Sequence, residues 1–462
     1  MNRIRLKPIL LPCLALAASS AFADENKISD IFSDVSATQV NAIPDTPMPG
    51  NWTFDDCVSW ATANSTDIRR SILNILQAEE NVGVAKDAWL PSVGFSMNHS
   101  FTNYPNPEEN RTANVYGSSY GVNASWTVWE GNVRKYRLES AKLARQQQML
   151  AGDDVVKTIK LGILQAYLNI LYADEAVVIA RQTLEVSTSQ TERAKRLMES
   201  GRTSKVDYAQ IESQMAQDKY NLTQAEGNYA TARMNLKTIL QLSLDYDLKI
   251  ADVPFSDAEV NTALPTMEQV YAIASDWLPQ IKSNELNKDI YEYDIKIAKA
   301  GRLPEIGLSG GVGTGYTSGG PSWGSQMGHG INENVGVNFS IPIYDANSTR
   351  RKVAQAKLSA LQYDLNKKDL LDDLSQTIES LYIDARNARA KYETGKVQLE
   401  ATQLTSDLVN RQFELGLVNP LELLTAHNNL LNARLEQLQN KYMAILANKT
   451  INYYATQEVA LP

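Results

Sequence analysis

The 462-residue sequence predicts an α+β membrane protein. Long helices form coiled-coil hairpins that enclose a helical barrel, and four transmembrane strands per chain complete a twelve-stranded β-barrel only when three copies meet. Three observations carry this. The second half of the chain repeats the first, short runs alternate apolar with small polar residues, and heptad periodicity continues for nearly seventy residues without a proline.

The chain opens with an address. Arg3, Arg5 and Lys7 precede an apolar stretch from Ile9 to Ala18, and Ala21-Phe22-Ala23 offers a small-x-small cleavage site before Asp24. Residues 1–23 are therefore expected to be an export signal. Cys13 lies inside it without the small residues that precede a lipidated cysteine, so Cys57 is the single cysteine of the mature chain and no intrachain disulfide forms. Losing three positive charges with the signal takes the formal balance from −9 to −12, which argues against nucleic acid as a partner. No mature segment reaches the roughly 20 apolar residues of a spanning helix, so any membrane crossing falls to strands.

After an extension over 24–51, the first repeat occupies 52–242. Thr53-x-x-Asp56 has the form of a capping box for a helix running to about Ala88. Leu90-Pro91 stop that pattern, and Val93, Phe95, Met97 and Phe101 then alternate with Gly94, Ser96, Asn98 and Ser100. A polar loop from Pro105 to Asn114 leads to a second alternating run, with Tyr120, Val122, Ala124, Trp126 and Val128 set against Gly121, Asn123, Ser125 and Thr127. A helix from about Asn132 to Ser200 follows. Its seam is Ile159, Ile163, Ala166, Ile170, Ala173, Val177, Ala180, Leu184, Ser187, Thr191 and Ala194, stepping by four and three.

A linker over 243–264 leads to the second repeat, 265–455, and a tail, 456–462. Ser65-Thr66-Asp67-Ile68 stands opposite Leu278-Pro279-Gln280-Ile281, and Leu90-Pro91 opposite Leu303-Pro304, at an offset of 213. Trp129-Glu130-Gly131-Asn132 stands opposite Tyr344-Asp345-Ala346-Asn347, and Gly201 opposite Gly416, at 215. The strands recur as Ile306, Leu308 and Val312, then Val335, Val337, Phe339, Ile341 and Ile343, joined by a glycine- and serine-rich loop from Ser318 to Asn332. A second long helix carries Leu371, Leu374, Ile378, Leu381, Ala385, Ala388, Tyr392, Gly395, Leu399 and Thr402. Its return carries Leu417, Leu421, Leu424, Asn428, Leu431, Leu435, Leu438, Tyr442 and Ile445.

One apolar and one small polar face suit a strand between lipid and water. Phe95, Val122, Trp126, Val337 and Phe339 are expected to face lipid, and Asn98, Asn123 and Asn338 a water-filled lumen. Four strands cannot close a barrel, and open edges leave backbone groups unsatisfied in hydrocarbon, so the missing edges must come from further copies.

Chemistry of its own is not expected. His99, His329 and His427 are the only histidines and lack metal-ligand spacing, Cys57 has no evident partner, and Asp153-Asp154 and Asp372-Asp373 read as solvated helix faces. Gly310 to Gly315 lacks the Gly-Lys-Ser/Thr of a phosphate loop. No catalytic, cofactor or metal site is read from the chain.

The duplicated helix-to-strand junction (AWLPSVGFS, GRLPEIGLS), the strand ends WTVWEGNVR and SIPIYDANSTR, and the turns RLMESGRTSKVDYAQIESQ and RQFELGLVNPLELLTAHNNLLNARLEQLQNKY together resemble the TolC-like outer-membrane efflux proteins. The resemblance covers nearly the whole mature chain. It implies a homotrimeric duct in the cell outer membrane, with a tunnel extending into the periplasm and an equatorial region at Ser243 to Leu264 and the chain's end. It also implies a periplasmic adaptor, an inner-membrane pump or ABC exporter, and outer-membrane lipid as partners. Passive conduction in efflux or type I secretion would follow.

On this resemblance Pro91 and Pro304 mark the passage from tunnel to barrel, and the tip turns are built on Gly201, Ser204, Gly416, Asn419 and Pro420. The family's entrance positions fall on Asp207, Phe413, Val418, Glu422 and Thr425. Phe413 stands where well-known relatives carry a tyrosine, and Val418 and Thr425 replace an arginine and an aspartate. Ser204-x-x-Asp207 and Asn419-Pro420-Leu421-Glu422 also have capping-box form, with Pro420 at the first helical position. A periplasmic coiled-coil adaptor would share the signal and the heptads, but predicts one hairpin and no lipid-facing strands.

Overall fold

In the computed structural model, which describes residues 48–107, 112–459 and 461, each half of the chain lays down the same series of elements. The first half gives α1 (Phe54–Asn64), α2 (Thr66–Asp87), β1 (Ser92–Asn103), β2 (Asn114–Trp129), α3 (Val133–Glu199) and α4 (Lys205–Leu240). After α5 (Asp257–Val260), the second gives α6 (Met267–Trp277), α7 (Pro279–Ala300), β3 (Glu305–Thr317), α8 (Trp323–His329), β4 (Asn332–Ser340), α9 (Ser348–Leu415) and α10 (Pro420–Thr456). The expected export signal, the extension as far as residue 47, and 108–111 of the first hairpin loop lie outside the described residues.

The helix expected from Thr53 to Ala88 is two helices. Thr53 caps the first through a reciprocal box with Asp56, but Ser65 leaves the helical region (φ −60, ψ 130) and its hydroxyl accepts from the Asp67 N–H to start the second. At the equivalent place Leu278 (φ −55, ψ 125) precedes Pro279, the first residue of α7. A serine offers the backbone an alternative bond, and a proline pushes the residue before it out of the α region, so two chemistries make the same break.

The junctions with the strands are equally matched. Beyond α2 the chain tightens, with Trp89 N–H donating to Lys86 O and Leu90 N–H to Asp87 O; beyond α7, Arg302 donates to Lys299 and Leu303 to Ala300. Pro91 and Pro304 withhold the next N–H, and β1 and β3 begin one residue later. The prolines thus end the tightened turn rather than the α-helix, which has already stopped at Asp87 or Ala300. On the way back, Gly131 and Asn132 (φ 65 and 65) and Ala346 and Asn347 (φ 51 and 64) are consecutive left-handed residues. A Cβ at Gly131 would fall 2.9 Å from Leu303 Cδ1, so the first turn needs glycine for space as well as for its backbone. Arg134 is buried there, donating to Ala88 O and lying 4.9 Å over the Trp89 ring, while Thr349 donates to Gly301 O at the equivalent site.

The strands form one antiparallel sheet in the order β1-β2-β3-β4. On one face Phe95 pairs with Val122 and Val122 with Val312, Trp126 with Leu308 and Leu308 with Val337, and Ile306 with Phe339. On the other, Asn98 pairs with Ser119, Asn123 with Gly311, and Gly307 with Asn338. The apolar face is bare, with Val337 72% exposed, which suits hydrocarbon and not water. Tyr116 and Trp126 lie ten residues apart on β2, about 33 Å along the strand and about 25 Å across a barrel of the usual tilt, the height of the apolar band that aromatic girdles flank.

Two expectations about the sheet change. β4 ends at Ser340, because β3 starts at Glu305 and leaves Ile341 and Ile343 nothing in the chain to pair with, and Pro342 lacks an N–H. The loop from Ser318 to Asn332 contains α8. Its Gln326 side chain bonds both the N–H and the C=O of Thr317, as a neighbouring strand would, where β4 is too short to reach.

The main core sits where the hairpins meet the linker. Trp52, fully buried, forms a parallel bridge with Ile250 and packs in one cluster with Ile163, Leu164, Tyr167, Leu236 and Ile445. Contrary to expectation, α3 does contain one window long and apolar enough to cross a membrane; the cluster explains it as core, since half of the window is buried inside the chain. The seams of α3 and α9 are buried or half-buried along their length as expected. In α10 the expected seam holds from Leu431 to Ile445, but near the tip Leu417 and Leu421 are exposed and Leu423, Ala426 and His427 are buried instead. There α10 packs in one cluster with Ala194 of α3, Ile211 of α4 and Val409 and Phe413 of α9, so its buried face turns. Two hairpins and a four-stranded sheet are more than a coiled-coil adaptor would need.

Arginine on the lipid face should be far worse tolerated than its neighbour on the polar face. Val337→Arg is expected to destabilise the folded protein by about 2 to 4 kcal/mol and Asn338→Arg by much less. Comparing the folded fraction of the two variants in outer membranes by heat-modifiable gel mobility checks the assignment; a lower yield for Asn338→Arg would mean the faces are reversed, and equal yields that neither position faces lipid.

Candidate functional site

Both long hairpins reverse at a common helical tip. Gly201 (φ 74) and Gly416 (φ 75) are left-handed, and around each the chain makes the same pair of bonds. Gly201 N–H donates to Met198 O and Arg202 N–H to Leu197 O; Gly416 N–H donates to Phe413 O and Leu417 N–H to Gln412 O. Nothing lies within 4 Å of a Cβ at either site, so the backbone conformation alone asks for glycine.

Three residues later a polar side chain restarts a helix, and the two acids that follow differ. Ser204 Oγ accepts from the Asp207 N–H at 3.1 Å, and Asp207 Oδ2 accepts from the Ser204 N–H at 3.2 Å and from Thr203 Oγ1 at 3.3 Å. Asn419 Oδ1 accepts from the Glu422 N–H at 2.9 Å and Pro420 takes the first helical position, but the Glu422 carboxylate returns no bond. The second capping box is therefore only half formed. The Ser204 bonds hold the Asp207 carboxyl below its usual range. A depressed carboxylate contributes stability above its ordinary pKa and loses it only as pH falls through the lowered value, so Asp207 stays charged at neutral and mildly acidic pH.

The other residues expected at an entrance divide between packing and surface. Phe413 is 8% exposed, packed with Ala194, Ile211, Val409, Leu423 and Ala426, and Val418 and Tyr208 lie against this cluster. Thr425 is exposed, its hydroxyl donating to Leu421 O. The tip thus gathers Asp207, Glu422, Phe413, Val418 and Thr425, with the acids at the surface and the phenylalanine beneath.

Polar bonds tie the two hairpins together above the tip. Gln190 Nε2 donates to Asn410 Oδ1 at 2.7 Å, and Arg193 bonds both the carbonyl and the carboxylate of Glu414. On the other pair of helices, Asp218, with its side chain 0% exposed, meets His427 Nε2 at 2.9 Å and accepts from Gln214 Nε2 at 3.0 Å. Sequence reasoning missed this pair. The two residues are 209 apart, and the only signal was a histidine beside Asn428 in the expected seam.

Asp372 and Asp373 are exposed as expected, but Asp154 is half-buried, accepting from Gln280 and paired with Lys157. Among the described residues no group of three His, Cys, Asp or Glu could hold a metal, and burial pushes the Cys57 thiol up to about 12, leaving it unreactive.

Comparison with known proteins agrees with this geometry. The sequence model of the outer membrane efflux protein family matches twice, over residues 57–241 and 273–453. The chain is 23% identical to the outer membrane efflux protein BepC of Brucella suis over 390 residues, covering 84% of this chain and 82% of BepC. It is 22% identical to the outer membrane protein TolC of Escherichia coli over 419 residues, covering 86% and 79%. The crystal structure of the transmembrane channel CusC superposes with a TM-score of 0.74 at 19% identity, covering 88% of this chain and 95% of CusC.

Removing the imidazole should leave the buried Asp218 Oδ2 without its partner, with only Oδ1 still bonded by Gln214. His427→Ala is expected to weaken the contact between the hairpins by about 3 kcal/mol, whereas Asp218→Leu combined with His427→Leu recovers much of the loss. Amide hydrogen exchange along the tip halves of α4 and α10 reads both; equal protection in His427→Ala and the parent protein would show that the pair contributes nothing.

Proposed function

Since this chain belongs to the outer membrane efflux protein family, we propose that three copies form one duct, a twelve-stranded barrel in the outer membrane continuing into a helical tunnel in the periplasm. The chain is an outer-membrane efflux channel. Substrates reach it from a periplasmic adaptor and an inner-membrane pump or ABC exporter and cross passively, with no chemical step in the duct itself. The pump sets the cargo.

The observation that carries this reading is the sheet. It has a bare apolar face, a face of glycine, serine and asparagine, and unpaired edges at β1 and β4. One chain cannot satisfy those edges in lipid, and twelve strands is an even number within the range of outer-membrane barrels. Pro91 and Pro304 then stand where tunnel becomes barrel.

The tip forms the periplasmic entrance. Three copies bring Asp207 and Glu422 together as six carboxylates around one opening, and acidic rings select cations. Phe413 and Val418 hold the tip closed by packing, without the tyrosine hydroxyl of the well-known relatives.

Native mass in detergent should give a trimer, and a monomer retaining its full strand content would overturn the duct. In planar bilayers, Asp207→Asn with Glu422→Gln is expected to bring the cation-to-anion permeability ratio down towards one while retaining helix capping by Ser204 and Asn419. An unchanged ratio would leave both acids as elements of the helix starts only.

A further inference from the structure

We infer that the free edge of β4 pairs with the free edge of β1 from a second copy in one register, with Val337 opposite His99, Asn338 opposite Asn98, and Ile341 opposite Phe95. This rests on the trimeric reading above and specifies its seam.

The internal repeat sets the register. β1 corresponds to β3 at an offset of 213, and β2 to β4 at 215. Under those offsets the Ser92–Ser125 and Val93–Ala124 pairs of the first hairpin become Glu305–Ser340 and Ile306–Phe339, the pairs observed in the second. The two hairpins therefore share one register to the residue.

Only at β2 and β3 does the first repeat pair with the second. There Val122 stands opposite Val312, Asn123 opposite Gly311, Trp126 opposite Leu308 and, past a bulge, Trp129 opposite Ile306. The same offsets turn these into Val337–His99, Asn338–Asn98, Ile341–Phe95 and Tyr344–Val93. Those pairs join the end of the second repeat to the start of the first, at opposite edges of the sheet in a single chain.

The stretch just beyond β4 supports a second copy as the occupant. Ile341 and Ile343 continue the strand alternation, yet Ile343 is 97% and Tyr344 82% exposed. Their counterparts Val128 and Trp129 lie inside β2, where β3 covers their edge. What 341–344 lack is a neighbouring strand, and β1 of another copy offers the equivalent of β3. Pro342 occupies the place of Thr127, next to the bulge, where a strand tolerates proline. The register also keeps faces together: Val335 falls opposite Phe101 on the lipid side, and Gly336 opposite Ser100 in the lumen.

Disulfide trapping tests the register because its reach is short. Directly opposed residues lie about 4.5 to 5.5 Å apart between Cα atoms, within the span of a disulfide, whereas residues two places off lie about 7 to 8 Å apart and beyond it. Protein carrying Asn98→Cys with Asn338→Cys, oxidised in outer-membrane preparations, should give covalent dimers and trimers that return to monomer on reduction. Asn98→Cys with Gly336→Cys, or with Ser340→Cys, should give at least about tenfold less, and either single substitution no ladder. Native mass of each variant is taken in parallel. Trimers that cross-link best at a shifted pair would overturn the register, and trimers that cross-link at no pair would overturn the β4–β1 seam. The absence of trimers by native mass, in the parent protein as well, would instead remove the trimeric reading on which the seam rests.

Discussion

A strand in hydrocarbon must have both edges occupied, because an unpaired backbone N–H or C=O has no water to bond. Among the described residues the sheet has four strands and two edges left over, at β1 and β4. The rest of the architecture depends on that constraint. On the proposed trimer, further copies would fill those edges, and their symmetry would carry the long hairpins into a ring with their tips together. The bare apolar face and the exposed residues beyond β4 fit that proposed assembly.

The passage from helix to strand is made twice with different residues, which shows what it requires. Ser65 and Pro279 break a helix at equivalent places, and Arg134 and Thr349 reach the last carbonyls of the helix that precedes each strand. Gly131 and Ala346 both adopt a left-handed backbone, although alanine does so at a steric disadvantage. What the repeats share is a backbone path of tight turn, proline, strand, two left-handed residues and a long helix. Side chains differ wherever more than one chemistry satisfies that path.

At the tip, the residues proposed to line the entrance are also those that start the helices. Asp207 is tied into its helix start by Ser204 and Thr203, while Glu422, at the matching place, has a free carboxylate because Asn419 bonds only one way. Beneath them the Phe413 cluster and the buried Asp218–His427 contact bind the hairpins of one chain to each other. On the proposed reading, an entrance that opens would either carry both hairpins of a chain together or break this buried hydrogen-bonded contact.

The sequence by itself determined the strands, the long helices and their order, though not the split of the first helix or α8, because period is a local property. Alternation marked β1 to β4, heptads marked α3 and α9, and Gly201, Gly416, Ser204, Asn419 and Pro420 marked the tip turns, each through a backbone need that one or a few residues express. The break at Ser65 and the left-handed pair at Ala346 were less legible, since neither residue type demands its conformation. Only the tertiary structure decided which face of α10 is buried near the tip, where packing on several helices at once turns the seam from Leu417 and Leu421 to Leu423 and His427. It alone brought Asp218 to His427, and it alone ended β4 at Ser340, because both depend on what lies beside a segment in space and periodicity within the segment carries no record of its neighbours.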